Sequence, residues 1–275
     1  MTLTKKRLDL VLVEKGYFGS RQAAQAAIMS GRILVGGKKV DKSGEQIATD
    51  SELIIIGEDL PFVSRGGLKL AKALKVFPID LTGKIVLDAG ASTGGFTDCA
   101  LQHNASKVIA VDVGYGQLAW KLRQDPRVKV FERKNIRYLT PADLDDIRVD
   151  VAVADLSFIS LKLILPNLIE LAKNTGDIIL LIKPQFEAGK DKVGRKGVVK
   201  DPKLHQEIIS EIISFSQNHN LRVGGLDYSP IKGPRGNIEY LLWLSKEERP
   251  SGFIKNDEIN KLILEVVSAA HKTLA

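Results

Sequence analysis

Apolar and polar positions change their period along the chain, and this change divides it into two regions. In the first region an apolar run at 8–12 begins a helix that stops near Gly16, and Ser20 is suited to cap a second helix. Apolar residues then recur at helical spacing until Gly31, after which short strands follow. The pattern predicts a small α+β domain over residues 1–58.

From residue 84 onward, apolar strands alternate with helices. Strands are predicted at 84–90, 107–113, 128–132, 149–156, 177–184, 221–231 and 238–245, and helices at 95–103, 116–123, 160–173, 202–218 and 256–272. This alternation is typical of a doubly wound, mostly parallel α/β sheet, here of seven strands. Too few residues join the last two strands for a crossover helix, so we expect that pair to be antiparallel.

The segment 57–67 contains Gly, Pro and Gly-Gly between the two patterned regions, which predicts a hinge. A short helix is predicted after it, at 68–77. We therefore expect a linker at 59–64 and a second domain at 65–275.

The distribution of charge favours a polyanionic partner. The chain has 40 Lys and Arg against 33 Asp and Glu, a net charge of +7, and residues 1–40 alone carry eight basic and two acidic residues. Such a basic surface is typical of nucleic-acid binding, although charge identifies no particular partner. The residues expected to contact the phosphates of a nucleic acid are Arg7, Arg21, Arg32, Lys38, Lys39 and Arg65.

Cysteine content and hydropathy exclude several classes of protein. The single cysteine, Cys99, excludes an internal disulfide framework and a multi-cysteine zinc site, and we expect no bound metal. No stretch approaches the ~18 uninterrupted apolar residues of a membrane helix, and the N-terminus is a poor signal peptide. We expect a cytoplasmic protein without a membrane partner. No motif indicates an oligomeric state.

The clearest chemical motif is KIVLDAGASTGGF, residues 84–96. It places a glycine-rich turn at the carboxyl end of the first strand of the sheet, where α/β proteins bind ligands. Glycines there let the backbone approach a ligand closely. The predicted cofactor-binding residues are Asp88, Gly90, Ser92, Thr93, Gly94, Gly95, Phe96, Asp112, Asn135 and Asp155.

Two carboxylates indicate which cofactor this turn binds. Asp88 would repel a pyrophosphate but suits an ammonium or hydroxyl group, which favours S-adenosylmethionine over NAD. Asp112 ends the second strand, where it can bind the ribose hydroxyls of either cofactor. Asn135 either meets an adenine edge or is a turn residue. A plain strand-to-helix turn and a dinucleotide site remain alternatives, because such a glycine pattern alone is weakly specific.

Polar residues terminate otherwise apolar strands at one edge of the predicted sheet. Asp155 and Lys183 end two strands, Glu239 begins the reversed strand, and Lys69 in the preceding helix could reach the same rim. Each alone is more often a solvated terminus than a catalyst. The four together suit the removal of a proton from an alcohol.

We place the base at Lys183. It follows the apolar run DIILLI, so we expect it to be the more desolvated lysine, whereas Lys69 shares its helix with Lys72 and Lys75. Burial, a second lysine and a cationic sulfonium would each lower the pKa of Lys183. The two carboxylates would hold the lysines and the hydroxyl in line.

These segments resemble known families. RLDLVLVEKGYFGSRQAAQAAIMSGRILVGGKKV resembles the S4 RNA-binding domain. The rest resembles the FtsJ-type ribose 2'-O-methyltransferases, whose Lys-Asp-Lys-Glu tetrad is matched in order by Lys69, Asp155, Lys183 and Glu239. SRGGLKL, DAGASTGGFTD, ADLSFISL, LIKPQFEAG and SPIKGPRGNIEYL resemble signatures of the TlyA family, historically named hemolysins, which combines both parts.

The resemblance implies a Rossmann-like methyltransferase domain after an S4-like domain. It also implies transfer from S-adenosyl-L-methionine to the ribose 2'-hydroxyl of cytidine in ribosomal RNA. The chain begins shortly before the Arg-Leu-Asp start, as in the shorter members, so we expect large-subunit RNA, with small-subunit RNA as the alternative. The competing classes are a non-catalytic ribosome-binding factor, a membrane-active hemolysin and an NAD-dependent oxidoreductase. The complete tetrad disfavours the first, the lack of a membrane span disfavours the second, and Asp88 disfavours the third.

Overall fold

Secondary structure is described for most of the chain in the computed structural model, at residues 5–55, 61–189, 192–194, 197–247 and 253–274. The chain divides between Arg65 and Gly66 into two units. The predicted linker at 59–64 falls partly outside the described residues, which resume at 61.

The first unit combines two helices with short strands. Its elements are β1 (Lys5–Arg7), α1 (Leu8–Glu14), α2 (Arg21–Met29), β2 (Ile33–Val35), β3 (Lys38–Val40), β4 (Gln46–Ala48) and β5 (Leu53–Ile55). β1 pairs with β4, and β3, β2 and β5 form an antiparallel sheet. The Ser20 hydroxyl accepts a hydrogen bond from the Ala23 amide at 3.2 Å, which confirms the predicted N-cap of α2. The apolar faces of both helices share one buried cluster around Leu8, Leu12 and Ile28.

The second unit is built on a seven-stranded sheet. Its strands are β6 (Ile85–Ala89), β7 (Lys107–Val111), β8 (Val128–Phe131), β9 (Val149–Ala154), β10 (Ala172–Ile182), β11 (Arg222–Tyr228) and β12 (Tyr240–Ser245), in the spatial order β11-β12-β10-β9-β6-β7-β8. β12 is antiparallel to both of its neighbours, and the other pairs are parallel. The predicted mostly parallel sheet and its antiparallel final pair are therefore confirmed.

Helices cover this sheet and complete its core. They are α3 (Gly66–Val76), α4 (Gly95–Gln102), α5 (Trp120–Arg123), α6 (Leu165–Leu171), α7 (Pro184–Glu187), α8 (Pro202–Gln217) and α9 (Asn256–Leu274). Ile209 of α8 and Val267 of α9 are fully buried in the same cluster as Leu180 of β10. None of the described helices is both long enough and apolar enough to cross a bilayer.

Two predicted helices are wrong in extent. The helix expected at 116–123 begins only at Trp120, because Gly116 has φ of 69° and the Asp112 carboxylate accepts a bond from the Gly114 amide, which keeps this segment a loop. The helix expected at 160–173 is a short 3-10 turn followed by α6. Pro166 lacks the N–H that would continue a helix from that turn. β10 then starts at Ala172, five residues before the predicted strand.

Strand register brings the polar strand ends together. Ile182 lies opposite Tyr240, so Lys183 and Glu239, the next residues outward, reach the same edge of the sheet. Ala89 lies opposite Ala154, and the Asp155 amide donates to the Ala89 carbonyl at 3.1 Å. This edge is the carboxyl end of the parallel strands, where doubly wound sheets bind ligands.

Candidate active site

The turn between β6 and α4 has no room for side chains at two of its glycines. Gly90 has φ of 87° and Gly94 has φ of 96°, in the left-handed region that favours glycine. A Cβ at Gly90 would lie 2.7 Å from the Asp155 carbonyl oxygen, and one at Gly94 would overlap the Leu122 side chain. The bare backbone of this turn is therefore required by packing as well as by conformation.

A cavity of about 470 Å³ opens beside the turn. This volume lies within the ~300–1,000 Å³ range of small-molecule and cofactor sites. Of the residues predicted to bind a cofactor, those that line it are Gly90, Ser92, Asp112, Asn135 and Asp155. Its wall also includes residues that the sequence reasoning did not identify, among them Gln117, Lys134, Ser157 and Phe158. The predicted Asp88, Thr93, Gly94, Gly95 and Phe96 do not line this cavity.

Hydrogen bonds from backbone amides fix the orientation of two polar side chains of the cavity wall. The Asp112 carboxylate accepts bonds from the Ser92 amide at 2.8 Å and the Gly114 amide at 2.7 Å, one on each oxygen. Each carboxylate oxygen has a second lone pair, so Asp112 is oriented and still able to accept from a ligand. Asn135 Oδ1 accepts from the Arg137 amide at 3.0 Å and caps a 3-10 turn.

Asp88 is fully buried behind the turn rather than on the cavity wall. The Thr97 hydroxyl donates to its Oδ2 at 2.6 Å, whereas its Oδ1 has no hydrogen-bond partner among the described residues. Burial raises the pKa of this carboxyl to about 7, although the Thr97 bond opposes the shift. Asp88 is thus a buried acid with one unsatisfied oxygen.

The four residues predicted to form a catalytic group are in contact. Asp155 bridges the two lysines: its Oδ2 lies 3.0 Å from Lys69 Nζ and its Oδ1 lies 2.6 Å from Lys183 Nζ. Lys69 Nζ also lies 2.8 Å from Glu239 Oε2, and the Glu239 side chain is only 1% exposed. The network therefore runs from Glu239 through Lys69 and Asp155 to Lys183, and Asp155 brings it to the cavity.

The charges within this network favour the ionised forms of Lys69 and Asp155. Burial alone would lower the pKa of Lys69, but the Asp155 and Glu239 carboxylates raise it above its ordinary value. Burial alone would raise the pKa of Asp155, but the two ammonium groups hold it below its ordinary value. Among the described residues, no three His, Cys, Asp or Glu lie close enough together to hold a metal ion.

The expectation that Lys183 is the more desolvated lysine is wrong. Both lysine side chains are 9% exposed, because α3 buries Lys69 as deeply as the end of β10 buries Lys183. What distinguishes them is their partners. Lys69 lies between two carboxylates, whereas Lys183 meets one carboxylate and donates a hydrogen bond to Ser157 Oγ at 3.0 Å.

In the first unit, a buried carboxylate holds two of the predicted RNA-contacting arginines. Asp9 accepts two bonds from Arg7 at 3.1 and 2.9 Å, one from Arg21 at 2.9 Å and one from Gln25 at 2.7 Å. The Arg7 guanidinium is the main cause of the lowered pKa of Asp9. Arg7 and Arg21 remain 38% and 50% exposed, so both guanidinium groups are oriented and accessible.

The other predicted RNA contacts are spread over the first unit. Lys38 and Lys39 are exposed on β3, and the Lys39 side chain packs against Gly31. Arg32 and Arg65 are half-buried. The sequence reasoning missed Asp9, whose signal was its place two residues after Arg7 in the Arg-Leu-Asp start.

Comparison with known proteins gives two family matches. FtsJ-like methyltransferase matches residues 62–246, and the S4 domain matches residues 6–53. The chain is 51% identical over its whole length to YqxC, a proposed rRNA methyltransferase of Bacillus subtilis (strain 168), and covers 97% of it.

Two further relatives extend this likeness. The chain is 46% identical to the 16S/23S rRNA (cytidine-2'-O)-methyltransferase TlyA of Mycobacterium tuberculosis (strain ATCC 25618 / H37Rv), over 87% of this chain and 90% of the relative. Among solved structures, a proposed hemolysin from Streptococcus thermophilus matches with a TM-score of 0.76 and 43% identity, over 99% of this chain and 98% of that one.

Proposed function

Because the chain belongs to the FtsJ-like methyltransferase family and, within it, to the TlyA proteins, we propose that it methylates ribosomal RNA. The reaction is transfer from S-adenosylmethionine to the ribose 2'-hydroxyl of a cytidine. The observation that carries this proposal is the continuous network of Lys69, Asp155, Lys183 and Glu239 at the cavity. The relative from Mycobacterium tuberculosis is named for both 16S and 23S RNA, so large-subunit and small-subunit RNA are both candidate substrates. A ribosomal substrate supports a cytoplasmic location for the enzyme.

The cavity has the donor and acceptor groups that S-adenosylmethionine requires. Asp112 has one accepting lone pair left on each oxygen for a ribose diol, and the bare backbone at Gly90 allows close approach. Asn135 would meet the adenine edge. The orphaned oxygen of Asp88 would balance the charge of the ammonium end from behind the turn. When bound, this cofactor supplies a methyl carbon that the ribose oxygen attacks, and its sulfur keeps the electron pair of the broken bond.

In this proposal the chain removes the proton of the ribose hydroxyl. Lys183 Nζ, as the neutral amine, accepts the proton and becomes an ammonium group, which the adjacent Asp155 Oδ1 stabilises at 2.6 Å. Lys69 is the poorer base because two carboxylates raise its pKa. It stays protonated and fixes the position of Asp155 from the opposite side. Holding the hydroxyl in line with the methyl carbon would supply much of the rate.

The first unit supplies affinity for RNA in this proposal. Arg7 and Arg21 are accessible and oriented by Asp9, as a binding site for backbone phosphates requires. The complete tetrad favours an enzyme over a non-catalytic ribosome-binding factor, since RNA binding alone does not require a network of two lysines and two carboxylates at a ligand cavity.

The test is methyl transfer by the purified full-length chain. Large and small ribosomal subunits from cells that lack this protein are incubated with methyl-labelled S-adenosylmethionine, and labelled ribose is identified after nuclease digestion. We expect label on the 2'-oxygen of cytidine with the wild type and with Lys272→Ala, an exposed lysine of α9. Lys183→Ala should lose it. Label on a base, or full transfer by Lys183→Ala, would overturn the proposal.

A further inference from the structure

Ser157 lines the cavity, and the roles assigned to the four tetrad residues do not include it. It lies two residues after Asp155, in the loop that follows β9, and it is exposed toward solvent. Its Oγ accepts a hydrogen bond from Lys183 Nζ at 3.0 Å. The hydroxyl is thus in direct contact with the amine that acts as base in the function proposed above.

When the Lys183 amine is neutral, its contact with Ser157 restricts the direction of the nitrogen lone pair. A neutral lysine has two N–H groups and one lone pair, arranged tetrahedrally with the Cε bond. Asp155 Oδ1, at 2.6 Å, takes one N–H, and Ser157 Oγ takes the other. Only one direction is then left for the lone pair. With Asp155 alone, the lone pair could occupy either of two staggered positions about the Cε–Nζ bond.

We propose that Ser157 is a positioning residue for methyl transfer, because its hydroxyl fixes the direction of the Lys183 lone pair toward the substrate hydroxyl. The inference rests on the function proposed above and adds to it a residue outside the tetrad. It also gives a geometric reason why Lys183, rather than Lys69, is the base. Both N–H directions of a neutral Lys69 would meet carboxylates, which favour the charged form.

The loop that carries Ser157 is held in place by contacts with α7. Glu187 of α7 accepts bonds from the Ser160 hydroxyl at 2.6 Å and the Leu161 amide at 2.8 Å. The rings of Phe158 and Phe186 are 5.0 Å apart. Because α7 begins directly after Lys183, these contacts tie the hydroxyl and the amine to the same short segment of chain. A fixed separation of this kind is what an orienting hydrogen bond requires.

The test compares Ser157→Ala and Ser157→Thr with the wild type and with Ser214→Ala, an exposed serine of α8. Transfer to ribosomal subunits is measured at saturating S-adenosylmethionine and RNA from about pH 6 to 10. Cofactor affinity is measured by calorimetry, and the thermal midpoint verifies folding. The charged groups that face Lys183 are Asp155 and, through it, Lys69 and Glu239, and all three are unchanged in these variants.

The transfer rate on the high-pH plateau distinguishes an orienting role of Ser157 from an effect on protonation alone. A change in protonation alone would shift the rate profile along the pH axis and leave the plateau unchanged. An orienting role predicts that the Ser157→Ala plateau itself falls about tenfold, the value of one hydrogen bond, with cofactor affinity and thermal midpoint unchanged. Ser157→Thr, which keeps the hydroxyl, should recover most of the rate.

Each other outcome overturns the inference. Profiles that converge at high pH would mean that Ser157 acts only through a pKa. Weaker cofactor binding by Ser157→Ala would make the hydroxyl a binding group, and an equal loss in Ser157→Thr would exclude a role for the hydroxyl. An inactive wild type would instead overturn the proposed function, on which this assignment depends.

Discussion

Asp88 should link both stability and cofactor binding to pH near neutrality. Burial raises its pKa to about 7, against about 3.9 in an unfolded chain. The folded protein therefore binds this proton more tightly than the unfolded chain. The stabilisation is complete below about pH 4 and is lost as the pH rises to about 7. A difference of about three pKa units corresponds to at most about 4 kcal/mol of unfolding free energy.

The replacement Asp88→Asn removes this titration and keeps an acceptor for the Thr97 hydroxyl. Urea unfolding at pH 5 and at pH 8 should show the wild type losing more stability between these values than the variant, by about 1–3 kcal/mol. The exposed Asp257→Asn on α9 is the matched control and should follow the wild type. Equal losses in all three proteins would refute the assignment of a raised pKa to Asp88.

Cofactor binding gives a second measurement of the ionisation of Asp88. At pH 7 a carboxyl with a pKa of about 7 is about half protonated, and a nearby ammonium group favours its ionised form. Binding of S-adenosylmethionine should therefore release about half a proton. Calorimetry in phosphate and in Tris at pH 7 should give different binding enthalpies for the wild type and equal ones for Asp88→Asn. A wild type without buffer dependence would refute the proposed electrostatic role of Asp88 toward the ammonium end.

Three further changes test other parts of the account. Gly90→Ala forces a Cβ into the Asp155 carbonyl at a φ of 87°, so cofactor affinity by calorimetry should fall at least about tenfold; unchanged affinity would show that the turn is not the cofactor site. Asp9→Asn releases Arg7 and Arg21, so RNA affinity in filter binding should fall by about 1–3 kcal/mol with a shallower salt dependence, and an unchanged slope would contradict their role at phosphates. Lys183→Arg should lose transfer at least about 100-fold, since guanidinium stays protonated, whereas near-normal turnover would leave alignment alone to explain the rate.

The sheet was predictable because its strands are strongly apolar and bounded by polar residues. The beginning of β10 was not, because Lys173, Asn174 and Thr175 read as a loop, and the strand reaches back to Ala172 only because that residue pairs with Val149 across an irregular register. The length of the helix that contains α5 was overestimated for a similar reason. Its preceding loop is held by groups distant in sequence, since the Gly116 amide donates to Glu132 Oε1 at 2.7 Å and the Ala119 amide donates to the Thr93 carbonyl at 3.1 Å.

The site was predictable where residues mark strand ends and unpredictable where contacts cross elements. Asp155, Lys183 and Glu239 follow from register alone, since parallel strands and one reversed strand share an edge. The equal burial of the two lysines depends on how α3 packs, which periodicity does not determine. Ser157 is recognisable only once Lys183 lies 3.0 Å away from it.

The central claim, methylation of ribose in ribosomal RNA, is tested most directly by mapping 2'-O-methyl groups in cells. Ribosomal RNA is compared between cells with this protein, cells without it, and cells that carry Lys183→Ala instead. The account predicts that at least one cytidine loses its 2'-O-methyl group without the protein, regains it with the wild type and does not regain it with the variant. An identical methylation map in all three, or full restoration by Lys183→Ala, would contradict it.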